Sequence, residues 1–203
     1  MRLPCRRGSE ELQGKMLLKI IQSGHPVLRR TARALAPKDI RSPAIQDLIE
    51  HMRETLRDAP GVGLAAPQIG QSLQLAVIED RAEYHKTATE AELKERQRVP
   101  VDFHVLINPQ IESLSPPQVS FFEGCLSLPG FMAEVPRSRS VRVTCLDHHG
   151  KPRVIEAEGW YARILQHEID HLNGRLYIDR MQSQTFSTLE NYQRHWKNQP
   201  SAR

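Results

Sequence analysis

Apolar residues at helical spacing predict two helices, one in each half of the chain. Ile45, Ile49, Met52 and Leu56 recur at intervals of three and four residues, which is typical of an amphipathic helix with one buried face. Ser42-Pro43 favours a helix start there, because serine caps the first turn and proline fits the first helical position. We expect this helix to end by Ala59.

The second helix is predicted between Gly159 and Asn173. Trp160, Ile164 and Leu165 form an apolar stripe, and the pair Asn173-Gly174 is typical of a helix C-terminus. These signals place the polar stretch from Gln166 to His171 inside the helix.

Short apolar stretches between the two helices predict a β-rich middle and an α+β domain. A polar stretch over 80–102 is interpreted as a surface insertion without chemistry, in which Thr89 and Glu92 have capping-box spacing and open a short helix through about Gln97. His148-His149-Gly150 is read as a turn. The expected strands cover residues 73–79, 105–107, 119–122, 131–135, 141–146 and 154–157.

The composition is typical of one globular domain. The 203 residues are 39% hydrophobic and 26% charged, with a mild net charge of +4. No apolar run approaches the ~20 residues that span a bilayer, so no membrane association is expected. Residues 1–15 are Arg-rich without a hydrophobic segment, which excludes a secretory signal. We expect them to be a disordered or mis-annotated extension, followed by one domain over 16–181 and a polar tail over 182–203.

Cysteine usage points to a reducing compartment. The three cysteines (Cys5, Cys125 and Cys145) are an odd count without framework spacing, which argues against a disulfide scaffold. One of them is therefore available as a metal ligand.

The stretch from Gln166 to His171 contains the pattern H-E-x-x-H. Residues four apart share a helix face, so His167 and His171 can reach one metal ion. Glu168 lies one step round the helix, where it can handle a proton of a metal-activated water. The alternative interpretation is two unrelated surface histidines on a polar helix.

The third ligand is open on spacing alone. A catalytic metal usually takes three protein ligands. The metzincin pattern would need a histidine at position 177, which is Tyr177. A thermolysin-like site would use Glu190, whereas Cys125 would give a thiolate and two imidazoles, a set that suits Fe(II), Zn(II) or Co(II).

Three stretches together resemble the signature motifs of the peptide deformylase family, in that family's order. They are Gly61-Val62-Gly63-Leu64-Ala65-Ala66-Pro67-Gln68, Glu123-Gly124-Cys125-Leu126-Ser127 and Gln166-His167-Glu168-Ile169-Asp170-His171. The resemblance runs from about Met16 to Met181. The insertion over 80–102 is similar to that of the branch that includes plant and animal organelle enzymes.

The resemblance implies a fold in which antiparallel sheets pack around a central metal-binding helix, with an N-terminal amphipathic helix. It also implies removal of the N-formyl group from the first methionine of newly made polypeptides, with release of formate. One divalent ion, Fe²⁺ by resemblance and replaceable by Zn²⁺, Ni²⁺ or Co²⁺, would be held by Cys125, His167 and His171. Glu168 would move the proton, and the Gln68 side chain and the Leu126 backbone N–H would stabilise the oxyanion.

Five residues are candidates for the methionine pocket: Val62, Gly63, Phe121, Trp160 and Ile164. Asp170 is expected to orient the site, with Arg137 as its partner.

The expected partners are nascent formyl-methionine chains and, through the tail over 182–203, the ribosome in transient contact. Sequence-specific binding to nucleic acid is not expected. The expected compartment is the bacterial cytoplasm, with mitochondrion or plastid as the alternative.

Two other functions compete with this interpretation. One is a thermolysin-type endopeptidase that uses Glu190, and the other is a catalytically idle homologue that acts as a binding protein. Intact Gln68 and Glu168 argue against the idle homologue, because a degenerate copy is expected to lose one of them.

Overall fold

The structure combines helices with antiparallel strands, which confirms the α+β class. The computed structural model describes residues 16–59, 61–116 and 118–197; the predicted extension over 1–15 lies outside them. The helices are α1 (Pro37–Ile40), α2 (Pro43–Asp58), α3 (Glu90–Glu95), α4 (Gly159–Leu172) and α5 (Leu189–Asn191). The strands are β1 (Gly63–Ala65), β2 (Leu75–Asp80), β3 (Val101–Leu114), β4 (Gln118–Cys125), β5 (Leu128–Ser138), β6 (Ser140–Leu146), β7 (Pro152–Glu158) and β8 (Ser187–Thr188).

The strands form two antiparallel sheets. The larger sheet has the order β1-β2-β3-β6-β7, and the smaller one has the order β4-β5-β8. Strands β4 and β5 are a hairpin in which Phe121 pairs with Val135 and Cys125 pairs with Leu128. Within the described parts of the chain, no helix is long and apolar enough to cross a membrane.

The larger sheet is covered by a helix on each face. All six residues of β2 are buried, and alternate side chains of a strand point to opposite faces. Leu75 and Val77 pack in the cluster that contains the buried face of α2. Ala76 and Ile78 pack in the cluster that contains the buried face of α4. The sheet therefore holds α4 firmly by its apolar side.

Strand β3 is much longer than its predicted three residues, 105–107. It has 14 residues, and its pairing with β6 shifts register between Ile107 and Gln110. Asn108 has φ of +50°, and its side chain exchanges hydrogen bonds with the backbone of Leu35. This irregularity interrupts the alternation of apolar residues that the sequence prediction relied on.

The insertion contains the predicted short helix, and the tail packs on the hairpin over part of its length. The capping box is present, since the Thr89 N–H donates to Glu92 Oε2 at 2.7 Å and the Glu92 N–H to Thr89 Oγ1 at 3.2 Å. Part of the tail lies against the hairpin. There the Tyr192 and Trp196 rings lie 4.7 and 5.6 Å from the ring of Phe122 on the hairpin.

Candidate metal centre

Helix α4 begins and ends where the sequence predicts. It starts at Gly159, and its last turn is closed by Asn173, whose N–H donates to Asp170 O at 3.0 Å. Gly174 follows with φ of +71°, a conformation that glycine adopts without strain. His167 and His171 therefore lie one turn apart on the same side of the helix.

Cys125 lies beside the two histidines. Its Sγ atom is 3.3 Å from His171 Nε2, which is 3.2 Å from His167 Nε2. The three ligand atoms all lie within 4.8 Å of one another, and the set of one thiol and two imidazoles suits Fe(II), Zn(II) or Co(II). The residues therefore fit a divalent ion.

Glu190, the alternative third ligand, lies elsewhere. Its carboxylate accepts a hydrogen bond from Arg194 at 3.0 Å, and its side chain is 76% exposed. Among the described residues, the group able to hold a metal ion consists of Cys125, His167 and His171.

Glu123 orients His167, a role that the sequence analysis missed. Its Oε2 lies 2.9 Å from His167 Nδ1, which leaves the Nε2 lone pair of His167 facing Cys125 and His171. Burial opposes ionisation of Glu123, but the Arg137 guanidinium and the bond to His167 hold the pKa of that carboxyl well below its usual range. The sequence offered one signal for this role, which was an acidic residue two positions before Cys125.

A buried ion network fixes the helix to the hairpin. Arg137 donates to Glu123 at 2.9 Å and also donates to Asp170, which confirms the predicted pairing of Arg137 with Asp170. Arg163 donates to Glu123 at 2.6 Å, and Arg180 adds two hydrogen bonds to Asp170. Removing one member of such a network leaves a buried charge without its partner.

Glu168 is held in a buried position next to β1. Burial raises the pKa of its carboxyl to about 7. Its Oε2 atom has no hydrogen-bond partner among the described residues, so it remains free to interact with a small molecule. The backbone of Gly63 approaches so closely that a Cβ atom there would lie 2.2 Å from Glu168 Oε1.

Gln68 brings an amide group to the cysteine. Its Oε1 accepts from the Ala65 N–H at 2.8 Å, and its Nε2 lies 3.2 Å from Ser127 Oγ and 3.5 Å from Cys125 Sγ. Holding Oε1 in this way turns the donor end of the amide toward the centre. Leu126 follows Cys125 directly, in the turn between β4 and β5.

A cavity of about 440 Å³ adjoins the centre. Four of the five predicted pocket residues line it: Val62, Gly63, Trp160 and Ile164. Phe121, the fifth, is not among the described residues that line this cavity. Its ring instead lies next to that of Trp160, at 6.5 Å between ring centres. Lining residues that the sequence analysis missed include Arg96 and Arg98 from the insertion, and Phe131 and Leu189.

Comparison with known proteins agrees with the three motifs. The family described as polypeptide deformylase matches residues 17–187. Peptide deformylase 1A, chloroplastic, of Solanum lycopersicum is 46% identical over 91% of the chain, and peptide deformylase 1A, chloroplastic/mitochondrial, of Arabidopsis thaliana is 47% identical over 86%. The chain spans 66% and 65% of the length of these two relatives.

A solved structure has the same fold. The class I type b peptide deformylase from Acinetobacter baumannii, crystallised with Met-Ala-Ser bound, superposes with a TM-score of 0.73 at 28% identity. The match covers 83% of this chain and 100% of that one.

Proposed function

The chain belongs to the polypeptide deformylase family, and on this premise we propose that it hydrolyses the N-formyl group of newly made polypeptides. The substrate is a linear formamide on the first methionine, and the products are formate and a free amine. The observation that carries the proposal is the convergence of Cys125, His167 and His171 beside Glu168 and Gln68.

Cys125, His167 and His171 would hold one divalent cation, for which we propose Fe²⁺ as the native metal, with Zn²⁺, Ni²⁺ or Co²⁺ as replacements. When bound, the cation lowers the pKa of water and polarises the formyl carbonyl. On this view α4 is the metal-binding helix. The larger sheet packs on its apolar face, and the smaller sheet contacts its ligand-bearing face through Arg137 and Asp170.

Glu168 moves the proton. The attacking water gives a proton to the carboxylate, and the protonated Glu168 then returns it to the leaving amine. A pKa raised by burial to about 7 suits both steps, because the group can accept and release a proton near neutral pH.

Gln68 and Leu126 stabilise the oxyanion. The Gln68 amide donates without titrating, and Ala65 holds its oxygen so that its nitrogen faces the cysteine at 3.5 Å. The Leu126 backbone N–H would be the second donor. Loss of one such donor typically lowers the rate by ~100 to 1,000-fold.

The first side chain of the substrate would enter the cavity beside Ile164 and Trp160. Val62 and Gly63 also line this cavity, and the Phe121 ring lies 6.5 Å from that of Trp160. An unbranched thioether suits such a pocket, because it adapts to aromatic and aliphatic walls.

The proposed substrates are nascent chains, and we propose transient contact with the ribosome. The tail contributes Arg194, Lys197 and Arg203 against Glu190, a basic balance that favours contact with ribosomal RNA. Unchanged ribosome pelleting of an Arg194→Glu, Lys197→Glu variant would refute this role. We assign the protein to the bacterial cytoplasm, with mitochondrion or plastid as the alternative, because its relatives include plant organelle proteins.

Anaerobic assay of formyl-Met-Ala-Ser with the Fe-loaded protein tests the activity. We expect formate release, and its absence would overturn the proposal. Cys125→Ala is expected to lose bound metal, whereas Cys145→Ala is the matched control, because Cys145 is buried in the core cluster of the larger sheet. Metal retained by Cys125→Ala would remove the cysteine from the ligand set.

A further inference from the structure

The insertion contributes an arginine, Arg96, to the lining of the pocket. Three guanidinium groups surround Trp160: the Cζ atoms of Arg96, Arg98 and Arg163 lie 4.8, 5.4 and 5.9 Å from its ring centre. Arg98 is bound by both oxygens of Asp80, each at 2.8 Å. Arg163 is bound by the carboxylate of the ion network.

Arg96 differs from the other two. Within the described residues it has no carboxylate partner, and its contacts are with aromatic rings. Its Cζ lies 5.4 Å from the Phe121 ring centre as well as 4.8 Å from that of Trp160. A guanidinium over ring faces is held by the cation–π attraction, so Arg96 forms a wall of the cavity rather than part of an ion pair.

The backbone beneath Arg96 is fixed on the start of α4. Gln97 has φ of +47°, and its Oε1 accepts from Arg139 Nε at 3.0 Å. A Cβ atom at Gly159 would lie 2.8 Å from Arg96 O and 2.5 Å from Gln97 Cβ. The insertion therefore rests directly on the helix that carries the histidines, and Arg96 has little freedom to move away.

Distances along α4 place Arg96 at the far end of the pocket. Ile164 and Trp160 precede His167 by three and seven residues, which at ~1.5 Å per residue is about 4.5 and 10 Å along the axis. An extended formyl-methionine measures about 8 Å from its formyl carbon to its terminal methyl, from ordinary bond lengths. A methionine side chain that starts at the metal ligands and runs along α4 would end beside Trp160.

We propose that Arg96 is a specificity-determining residue that closes the pocket and limits the length of the first side chain. This inference rests on the proposed function. Side chains as long as methionine end before the guanidinium, whereas longer unbranched chains collide with it. The residue acts by its position and length, so an apolar side chain of similar length should serve nearly as well.

The test is a series of formylated peptides of the form formyl-X-Ala-Ser, with kcat/KM measured from formate release. X is methionine, norleucine or 2-aminooctanoic acid, which is two methylenes longer than norleucine. We expect the unaltered protein to lose roughly 100-fold from methionine to 2-aminooctanoic acid, because a misplaced methylene typically changes kcat/KM by about 10 to 200-fold. Arg96→Ala should reduce that loss to less than about 10-fold.

Three variants separate length from charge and from folding. Arg96→Met keeps the length without the charge and should keep the original profile, and Arg96→Gln should be intermediate. Lys94→Ala removes the same charge from an exposed position of the insertion and should leave the profile unchanged. Thermal unfolding identifies any variant that does not fold. The length profiles of the remaining Arg96 variants then still test whether Arg96 limits the side-chain length.

The outcomes are distinct. A profile that is the same in every Arg96 variant, or an equal fall for all three peptides, would overturn the inference and leave the proposed function intact. Absence of formate from all peptides with the unaltered, Fe-loaded protein would overturn the proposed function, and this inference with it.

Discussion

A small change at Gly63 should directly disturb Glu168, the proposed proton-transfer group. Gly63 lies in β1, paired with Ile78 of β2, and its backbone faces α4. An added Cβ atom would lie 2.2 Å from Glu168 Oε1 and 2.5 Å from its carboxyl carbon. Because β1 is fixed by the sheet, we expect the Glu168 side chain in Gly63→Ala to be displaced rather than the strand.

The displacement can be estimated from ordinary contact distances. A carbon and an oxygen usually approach no closer than about 3.3 Å, so the carboxylate oxygen must move by about 1.1 Å from its position at 2.2 Å. A misplacement of about 1 Å in a catalytic group costs on the order of 100-fold in rate. Overpacking of this kind costs about 1–3 kcal/mol of stability, so the variant should still fold.

The assay is formate release from formyl-Met-Ala-Ser, with metal content and thermal unfolding measured on the same samples. We expect kcat to fall by about 100-fold with the metal retained. Glu168→Gln should be slower still, and the double variant no slower than Glu168→Gln alone, because both changes act on one group. Additive losses in the double variant, or unchanged kcat in Gly63→Ala, would refute the reasoning.

Three further predictions concern the network, the metal and pH. Glu123→Gln should lower the free energy of unfolding by about 3–5 kcal/mol, because it leaves buried arginines poorly paired, and should weaken metal affinity by about 10 to 100-fold. Urea unfolding measures the first effect and competition with a chelator the second. Unchanged values would contradict the role of Glu123 in orienting His167 and holding the network. Chelation should lower the Tm of the metal-loaded protein but not that of Cys125→Ala, and equal shifts in both would argue against the cysteine ligand. The Arg57 hydrogen bond lowers the pKa of Glu79 in the folded protein. The stability that this ion pair contributes is therefore present above the unfolded pKa of about 4.3 and is lost as pH falls through the lower folded pKa. Urea midpoints should fall more below pH 4.5 in the unaltered protein than in Glu79→Gln, and parallel curves would refute this.

Local signals were sufficient to predict the helices that organise the fold. The bounds of α2 and α4 were evident from apolar spacing and from Pro43 and Gly174, because helix termini depend on residues close in sequence. Strand lengths were underestimated where Asn108 breaks the alternation, since β3 is held by pairing with distant strands rather than by its own pattern.

The sequence could predict which residues converge where a motif places them on one helix, but it missed contacts that depend on long-range packing. The H-E-x-x-H pattern indicated two residues of the group that could hold a metal ion, whereas spacing alone left Cys125 and Glu190 as alternatives for the third. The stacking of Arg96 on Trp160 joins residues 64 positions apart (160 − 96). The insertion carries no periodic pattern or motif that would indicate such a contact.

The proposed ligands lie on two separate elements, which determines when the centre could form. Cys125 belongs to the β4–β5 hairpin and both histidines belong to α4, so neither element has a complete donor set alone. During synthesis the cysteine precedes His167 by 42 positions (167 − 125), so the three residues can converge only once the helix has been made and has docked on the hairpin, where Arg137 pairs with Asp170. If these three residues hold the cation, its stable capture is a late step of assembly, and a metal-loaded molecule is one in which the hairpin and the helix are already packed together.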